Sequence, residues 1–170
     1  MNIDKYSEIF LDRDGVINEV IYRDAIISSP RKLKEFIFRP EIFNFIENFK
    51  DNKNFYVVTN QPDISRGLLS KKILNEMHEK IALKLNIKEI IYCPHTDSDQ
   101  CDFRKPNPGM INKLIEKYKL NKKNCLMIGD TKKDQDAAKN AKISSVLIKT
   151  KYNQDLSNVN FIDSLSNFKQ

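Results

Sequence analysis

The sequence contains no uninterrupted apolar stretch of the roughly 20 residues that a membrane-spanning helix needs, so no such helix is predicted. It has only three cysteines, an odd number that argues against a disulfide framework and favours reduced thiols or metal ligands. A P-loop, internal repeats and a compact block of arginine and aromatic residues are also missing, and we expect no nucleic-acid partner. The start, Met1-Asn2-Ile3-Asp4-Lys5, lacks the profile of a signal peptide. We therefore expect a cytoplasmic protein without a membrane partner.

Size and charge set further limits. With 170 residues, 40% of them hydrophobic, the chain is long enough for one core and too short for two. We predict a single domain over residues 1–170, and we expect a monomer. The formal net charge of +6 suits an anionic partner, which could be a phosphorylated metabolite or a nucleic acid. Because most of the excess is scattered lysine, we interpret it as a solvated surface with some electrostatic steering.

Short apolar segments alternate with longer amphipathic ones, which predicts an α/β domain with a mostly parallel central sheet flanked by helices. The predicted strands cover residues 9–11, 54–58, 87–92, 125–128 and 145–148. Predicted helices begin at Pro40, after the N-cap Ser70 and after Pro108, and a short terminal helix is expected over residues 161–168. The first helix is expected to bury a stripe of apolar residues: Ile42, Phe43, Phe45, Ile46 and Phe49.

Residues 16–38 interrupt this alternation. Two short apolar runs, Val20-Ile21-Tyr22 and Ala25-Ile26-Ile27, flank Arg23-Asp24 as in a small β-hairpin, and Ser28-Ser29-Pro30 ends it. Such a hairpin would lie over the end of the first strand as a flap. The segment is too short for a large cap domain.

The first predicted strand ends in two carboxylates, in the run Ile9-Phe10-Leu11-Asp12-Arg13-Asp14-Gly15-Val16. Residues i and i+2 of an extended segment point to the same side, so Asp12 and Asp14 can share a pocket. Gly15 allows the turn to bring the backbone close to a ligand. One aspartate of such a pair can attack phosphorus while its neighbour moves a proton. The alternative is an ordinary strand end followed by a turn.

Two further predicted strands also end in polar residues, Thr59 and Gly129-Asp130. The carboxyl ends of parallel strands form the ligand crevice of such sheets, so these groups should converge with Asp12. A divalent cation between Asp12 and Asp130 would neutralise phosphate charge, Thr59 would donate to a phosphoryl oxygen, and Lys105 would add a fixed positive charge. Each residue alone could instead be a cap, a turn or a solvated lysine.

The order Asp-x-Asp-Gly-Val, Thr-Asn-Gln, Arg-Lys-Pro and Gly-Asp-x-x-x-Asp resembles the haloacid dehalogenase (HAD) superfamily of phosphatases over nearly the whole chain. The fuller wording is similar to the branch that contains heptose 1,7-bisphosphate phosphatase and histidinol-phosphatase. Five segments carry this likeness: LDRDGVIN (11–18), VTNQ (58–61), SRG (65–67), CPH (93–95) and RKPNPGM (104–110). The resemblance implies a Rossmann-like HAD fold and a Mg²⁺-dependent phosphatase.

The resemblance also implies a role for each matching residue. Asp12 would be the nucleophile and a Mg²⁺ ligand. Asp14 would be the general acid and then the general base, and would bind Mg²⁺ through its backbone carbonyl. Thr59 and Lys105 would hold the phosphoryl group, and Asp130 would complete the metal site. Three residues are implied as substrate contacts: Asn60, Arg66 and Arg104.

Residues 93–108 form a polar loop that resembles the structural zinc loop of this branch, where the ligands fall as Cys-x-His and then Cys-x-Cys. Cys93, His95 and Cys101 match, but the fourth position is Phe103, and an aromatic ring cannot be a ligand. We predict a Zn²⁺ ion held by the three matching residues. The fourth ligand would come from a water or from one of three carboxylates: Asp97, Asp99 or Asp102. Alternatively, the loop is metal-free and Phe103 packs where the ion would lie.

The expected substrate follows from the wording of one motif and from the missing lid. Residues 106–110, PNPGM, are more similar to the heptose bisphosphate enzymes, and an open site suits an extended phosphate ester. We expect removal of the 7-phosphate from D-glycero-D-manno-heptose 1,7-bisphosphate, in the synthesis of nucleotide-activated heptose for lipopolysaccharide, capsule or glycoprotein. Alternatives are a histidinol-phosphate phosphatase, a polynucleotide 3′-phosphatase and a non-catalytic phosphosugar-binding module.

Overall fold

A six-stranded parallel sheet carries the fold of the computed structural model, which describes residues 3–168. In chain order the strands and helices are β1 (Glu8–Leu11), β2 (Ile21–Arg23), β3 (Ile26–Ser28), α1 (Glu41–Phe49), β4 (Asn54–Asn60), α2 (Lys71–Lys84), β5 (Ile87–Cys93), α3 (Gly109–Tyr118), β6 (Cys125–Gly129), α4 (Lys132–Ala141), β7 (Ser144–Ile148) and β8 (Phe161–Ile162). The strands of the sheet lie in the order β5-β4-β1-β6-β7-β8, and β2 and β3 form a separate antiparallel hairpin. The predicted α/β fold, with a small flap and no large cap domain within the described residues, is confirmed.

The centre of the sheet is apolar because it is covered on both faces. Every residue of β1 and β6 is buried, as expected for parallel strands between two helical layers. Ser70 acts as the N-cap of α2, where its hydroxyl accepts a hydrogen bond from the backbone N–H of Ile73 at 3.2 Å. Within residues 3–168 no helix is both long and apolar enough to cross a membrane.

Two local predictions are wrong. Residues 161–168 do not form a helix: Phe161–Ile162 adds a sixth strand beside β7, and Leu165–Asn167 forms a single 3₁₀ turn. Residues 161 and 162 form a strand instead of the predicted helix because their backbone groups pair with the open edge of β7. Phe43 is 38% exposed, whereas the rest of the predicted stripe is buried. Positions 42, 45, 46 and 49 follow helical spacing on one face, and position 43 falls outside it.

Strand order decides where the polar strand ends meet. β1 lies between β4 and β6, with Leu11 paired to Val57 on one side and to Ile128 on the other. The residues that follow these positions therefore emerge side by side at the carboxyl edge of the sheet.

Candidate active site

A cavity of about 200 Å³ opens at this edge, between the sheet and the flap. Its lining includes most of the predicted site residues: Asp12, Asp14, Thr59, Asn60, Arg104, Lys105 and Asp130. The flap contributes Val20, Ile27, Ser28 and Ser29, so the hairpin does lie over the carboxylates. Arg66 is absent from the lining, and its half-exposed side chain contacts Asp63 at 3.2 Å.

Three buried carboxylates form the floor of the site. One oxygen from each of Asp12, Asp130 and Asp134 lies within 4.8 Å of the others. Burial, followed by repulsion from Asp134, raises the pKa of Asp12 to about 7. Burial and repulsion from Asp134 and Asp12 also raise the pKa of Asp130 well above its usual range. Asp130 Oδ1 is buried and has no hydrogen-bond partner among the described residues, an arrangement that a divalent cation would satisfy.

Asp134 belongs to this cluster and also lies in the first turn of helix α4. Its Oδ2 accepts hydrogen bonds from the backbone N–H and the hydroxyl of Thr131, at 3.0 and 2.6 Å, in a capping box. A side chain at Gly129 would collide with it, since a Cβ there would lie 2.3 Å from Asp134 Cβ. The glycine of the Gly-Asp motif is thus needed for close packing of α4 on β6.

Lys105 is the cation among these carboxylates. Its Nζ lies 2.8 Å from Asp12 Oδ1, 2.6 Å from Asp134 Oδ1 and 2.9 Å from the carbonyl oxygen of Val58. Burial by itself would lower the pKa of Lys105, but the two carboxylates outweigh burial and raise it. The ammonium group is therefore a fixed positive charge beside Asp12, with all three of its N–H groups engaged.

Thr59 and Asn60, at the end of β4, support the neighbouring loop. Asn60 bonds to the backbone of Lys105 with both ends of its amide: Oδ1 accepts from the N–H at 3.0 Å and Nδ2 donates to the carbonyl at 2.9 Å. Thr59 Oγ1 accepts a hydrogen bond from Gln61 at 3.0 Å and lines the cavity. Asn60, expected to contact the substrate, thus also fixes the position of Lys105.

Asp14 lies in the cavity wall with its carboxylate held by four neighbours. The donors are the Arg13 guanidinium, the side-chain amides of Asn18 and Gln61, and the Ser29 hydroxyl of the flap, at distances of 2.8 to 3.1 Å. Burial would raise the pKa of this carboxyl, but the charge of Arg13 and these hydrogen bonds outweigh burial and lower it.

Sequence reasoning missed several of these residues. Arg13 and Gln61 are completely buried and bond to each other at 3.0 Å, although both lie inside motifs that drew attention only to their neighbours. Ser29 was expected only to end the hairpin. Tyr152, whose hydroxyl donates to Asp130 Oδ2, lies in no recognisable motif. The one signal in the sequence was the position of Arg13, between two aspartates at the end of an apolar strand, because a charge that is buried there requires a partner.

The predicted zinc residues also come together. Cys93 Sγ lies 3.8 Å from His95 Nδ1 and 3.8 Å from Cys101 Sγ. Burial raises the pKa of Cys93 to about 11. Phe103 packs against the adjacent apolar core, and the ammonium group of Lys113 lies over its ring, 5.6 Å from the ring centroid.

Arg104 connects this loop to the cavity. Its Nε donates to Asp97 Oδ1 at 2.7 Å and its Nη1 donates to the carbonyl oxygen of His95 at 2.9 Å. Of the carboxylates considered as a fourth zinc ligand, Asp97 is thus engaged with Arg104, and Asp99 accepts from the N–H and hydroxyl of Thr96.

The chain is similar to several known proteins. A family model described as HAD-hydrolase-like matches residues 102–159. The chain is 34% identical over 148 residues to the D-glycero-β-D-manno-heptose-1,7-bisphosphate 7-phosphatase of Pseudomonas putida, covering 84% of this chain and 82% of the relative. It is 31% identical over 175 residues to the D-glycero-α-D-manno-heptose-1,7-bisphosphate 7-phosphatase of Campylobacter jejuni, covering 98% and 94%.

A solved structure of a heptose bisphosphate phosphatase is also similar to this chain. The D,D-heptose 1,7-bisphosphate phosphatase of B. bronchiseptica, crystallised with magnesium and phosphate, superposes with a TM-score of 0.81 at 28% identity. The match covers 94% of each chain.

Proposed function

We propose that this chain removes the 7-phosphate of D-glycero-D-manno-heptose 1,7-bisphosphate. The chain belongs to the branch of the HAD-like hydrolases that contains the D-glycero-D-manno-heptose-1,7-bisphosphate 7-phosphatases. One observation carries the chemistry: Asp12 and Asp130 follow the adjacent strands β1 and β6, and Lys105 reaches Asp12 from the loop before α3. A buried oxygen of Asp130 there has no partner among residues 3–168. The named relatives support the substrate. Since they include enzymes for the α and the β anomer, the proposal covers both.

The donor set fits a Mg²⁺ ion, because buried carboxylates with raised pKa values and an unpartnered oxygen are stabilised by a hard cation. Asp12 and Asp130 would hold the ion with their carboxylates and Asp14 with its backbone carbonyl. Bound Mg²⁺ would neutralise charge on the phosphoryl group during transfer. Asp134 would lie behind these ligands, since Lys105 and Thr131 already engage its oxygens.

In the first step, a carboxylate oxygen of Asp12 attacks phosphorus, and the bond from phosphorus to the heptose O7 breaks. Asp14 gives its proton to O7, which releases heptose 1-phosphate and leaves an aspartyl-phosphate on Asp12. Water then attacks the phosphorus, Asp14 takes a proton from this water, and the bond from phosphorus to the Asp12 oxygen breaks, which regenerates the Asp12 carboxylate and releases inorganic phosphate. Thr59 and Lys105 supply a hydroxyl and a positive charge to the phosphoryl group throughout.

The observed environment of Asp14 suits the second step. Its carboxylate is ionised and accepts hydrogen bonds, which is the form that takes a proton from water. For the first step Asp14 must carry a proton and turn toward O7, away from donors such as Ser29 on the flap. A substrate that displaces the flap would release one of these donors.

We further propose that Cys93, His95 and Cys101 hold a Zn²⁺ ion. Zn–S bonds of about 2.3 Å at tetrahedral angles separate two sulfurs by about 3.8 Å, and the two thiols lie 3.8 Å apart. Because Asp97 and Asp99 have other partners, the fourth ligand would be Asp102 or a water.

The decisive experiment is a comparison of phosphate release with Mg²⁺ from both heptose bisphosphate anomers, histidinol phosphate and a 3′-phosphorylated oligonucleotide. We expect the highest kcat/KM for a heptose bisphosphate, with heptose 1-phosphate as the product in phosphorus NMR. Asp12→Asn is the control and should be inactive. A preference for histidinol phosphate, which no named relative supports, would overturn the substrate. Absence of phosphate release from every ester would favour the non-catalytic module.

A further inference from the structure

We propose that Tyr152 and Asn153, in the loop after β7, are positioning residues that present one chosen carboxylate oxygen of Asp130 to the divalent cation. This inference rests on the metal site of the proposed function. It concerns residues outside the motifs from which the family resemblance was argued.

Asn153 fixes the loop across the ends of two neighbouring strands. Its Nδ2 donates to the carbonyl oxygens of Asp130 and Ile148, each at 2.8 Å, and its Oδ1 accepts from the N–H of Thr150 at 2.8 Å. The side chain is only 2% exposed. Asn153 therefore ties the backbone at Asp130, just beyond β6, to the end of β7 and to the loop that carries Tyr152.

Tyr152 then makes the two oxygens of the Asp130 carboxylate different. Its hydroxyl donates to Oδ2, while Oδ1 is buried and unpartnered among the described residues. Gly15 closes the other side, since a Cβ there would lie 1.9 Å from Asp130 Oδ2 and 2.9 Å from the Tyr152 hydroxyl. With Oδ2 held in this way, Oδ1 is the oxygen left for a cation between Asp130 and Asp12.

The physical consequence is preorganisation. Without the tyrosine hydroxyl, the Asp130 carboxylate can rotate, and binding of the ion must restrict that rotation. Loss of a hydrogen-bonding partner behind a metal ligand typically weakens metal binding by about 10- to 100-fold. Tyr152→Phe removes only the hydroxyl and keeps the ring.

The test is calorimetric titration of Mg²⁺ into metal-free protein without substrate. We expect Tyr152→Phe to raise the Kd by about 10- to 100-fold. Tyr118→Phe is the matched control, because the Tyr118 hydroxyl also donates to a carboxylate, Glu89 Oε2 at 2.9 Å, away from the site. It should leave the Kd unchanged. Circular dichroism and the metal-free Tm establish that each variant is folded. Asn153→Ser is a second variant, which weakens the hydrogen bonds that hold the Tyr152 loop beside Asp130.

Separate outcomes decide this inference and the proposed function. If the wild type binds Mg²⁺ and both Tyr152→Phe and Asn153→Ser bind it equally well, the positioning role is wrong and the phosphatase proposal stands. If the wild type binds no Mg²⁺, the metal site and the positioning role both fall. If Mg²⁺ binding depends on Tyr152 but no ester is hydrolysed, the positioning role stands and the proposed activity does not.

Discussion

The ammonium group of Lys105 lies 2.8 Å from Asp12 Oδ1, so the proposed nucleophile is paired with a buried cation before any ligand arrives. The same nitrogen also serves Asp134, and a third buried carboxylate, Asp130, lies beside them. One positive charge thus faces three carboxylates. This imbalance, added to burial, raises the pKa of Asp12.

We predict that Asp12→Asn stabilises the metal-free protein at about pH 8, because the raised pKa means that ionised Asp12 costs folding free energy. The cost is fully present above about pH 7, the folded pKa, and disappears as pH falls below the ordinary value of 3.8. We expect a gain of about 2 kcal/mol, or roughly 4 to 8 °C in Tm, at about pH 8, and none near pH 4. Thermal unfolding with a chelator measures it.

Asp155→Asn, at an exposed position, is the control for that measurement and should leave Tm unchanged. A Tm of Asp12→Asn equal to or below that of the wild type at the higher pH would contradict the predicted repulsion.

Arg13→Met is predicted to destabilise the fold by about 3 to 5 kcal/mol, because it leaves the largely buried carboxylate of Asp14 without its ion-pair partner. Urea unfolding measures this loss. Arg23→Met breaks the partly exposed pair with Glu35 and should cost about 1 kcal/mol or less. If the buried charge is the cause, Asp14→Asn added to Arg13→Met should recover much of the loss. A loss no larger than that of Arg23→Met would refute the argument.

His78, which has no proposed catalytic role, gives a pH-dependent prediction. Burial, followed by the nearby charge of Arg13, lowers the pKa of His78 to about 3. Its Nε2 is buried without a hydrogen-bond partner among the described residues. Between pH 6.5 and 3 the unfolded chain binds a proton at His78 that the folded protein does not. The contribution of neutral His78 to the free energy of unfolding is therefore complete above pH 6.5 and decreases as the pH drops below 6.5.

His78→Phe should therefore flatten the pH dependence of stability. From about pH 8 to pH 5 the wild type should lose roughly 1 to 2 kcal/mol more than the variant, measured by urea unfolding at each pH. Parallel curves for the two proteins would show that His78 titrates normally.

Phe103→Cys is predicted to raise the affinity for Zn²⁺ by restoring the fourth ligand. Since structural zinc sites contribute about 10 to 16 kcal/mol over four ligands, the added thiolate should tighten binding on the order of 100-fold. Competition with a chromophoric chelator measures affinity, and elemental analysis measures occupancy. Phe103→Ser controls for loss of the ring. Wild-type protein with well below one zinc per chain, together with no gain in Phe103→Cys, would remove the zinc proposal.

Much of the site could be predicted because its residues sit at strand ends. Asp12, Thr59 and Asp130 each follow an apolar run, and the rule that parallel strands end at one edge places them together. Asp134 is the last aspartate of the Gly-Asp-x-x-x-Asp motif, and its spacing fits both the first turn of a helix and the site; the structure shows that it serves in both. The terminal strand was missed because two residues carry no periodic signal.

The sequence by itself determined the α/β alternation, the flap and the carboxylates of the site, because each depends on local pattern and on the direction of consecutive strands. Only the tertiary structure decided which groups touch those carboxylates. Tyr152 reaches Asp130 from 22 residues along the chain, and Gln61 reaches Asp14 from 47. Such contacts arise from packing between distant segments, which no local pattern encodes, and they set the charge and the orientation of Asp14 and Asp130.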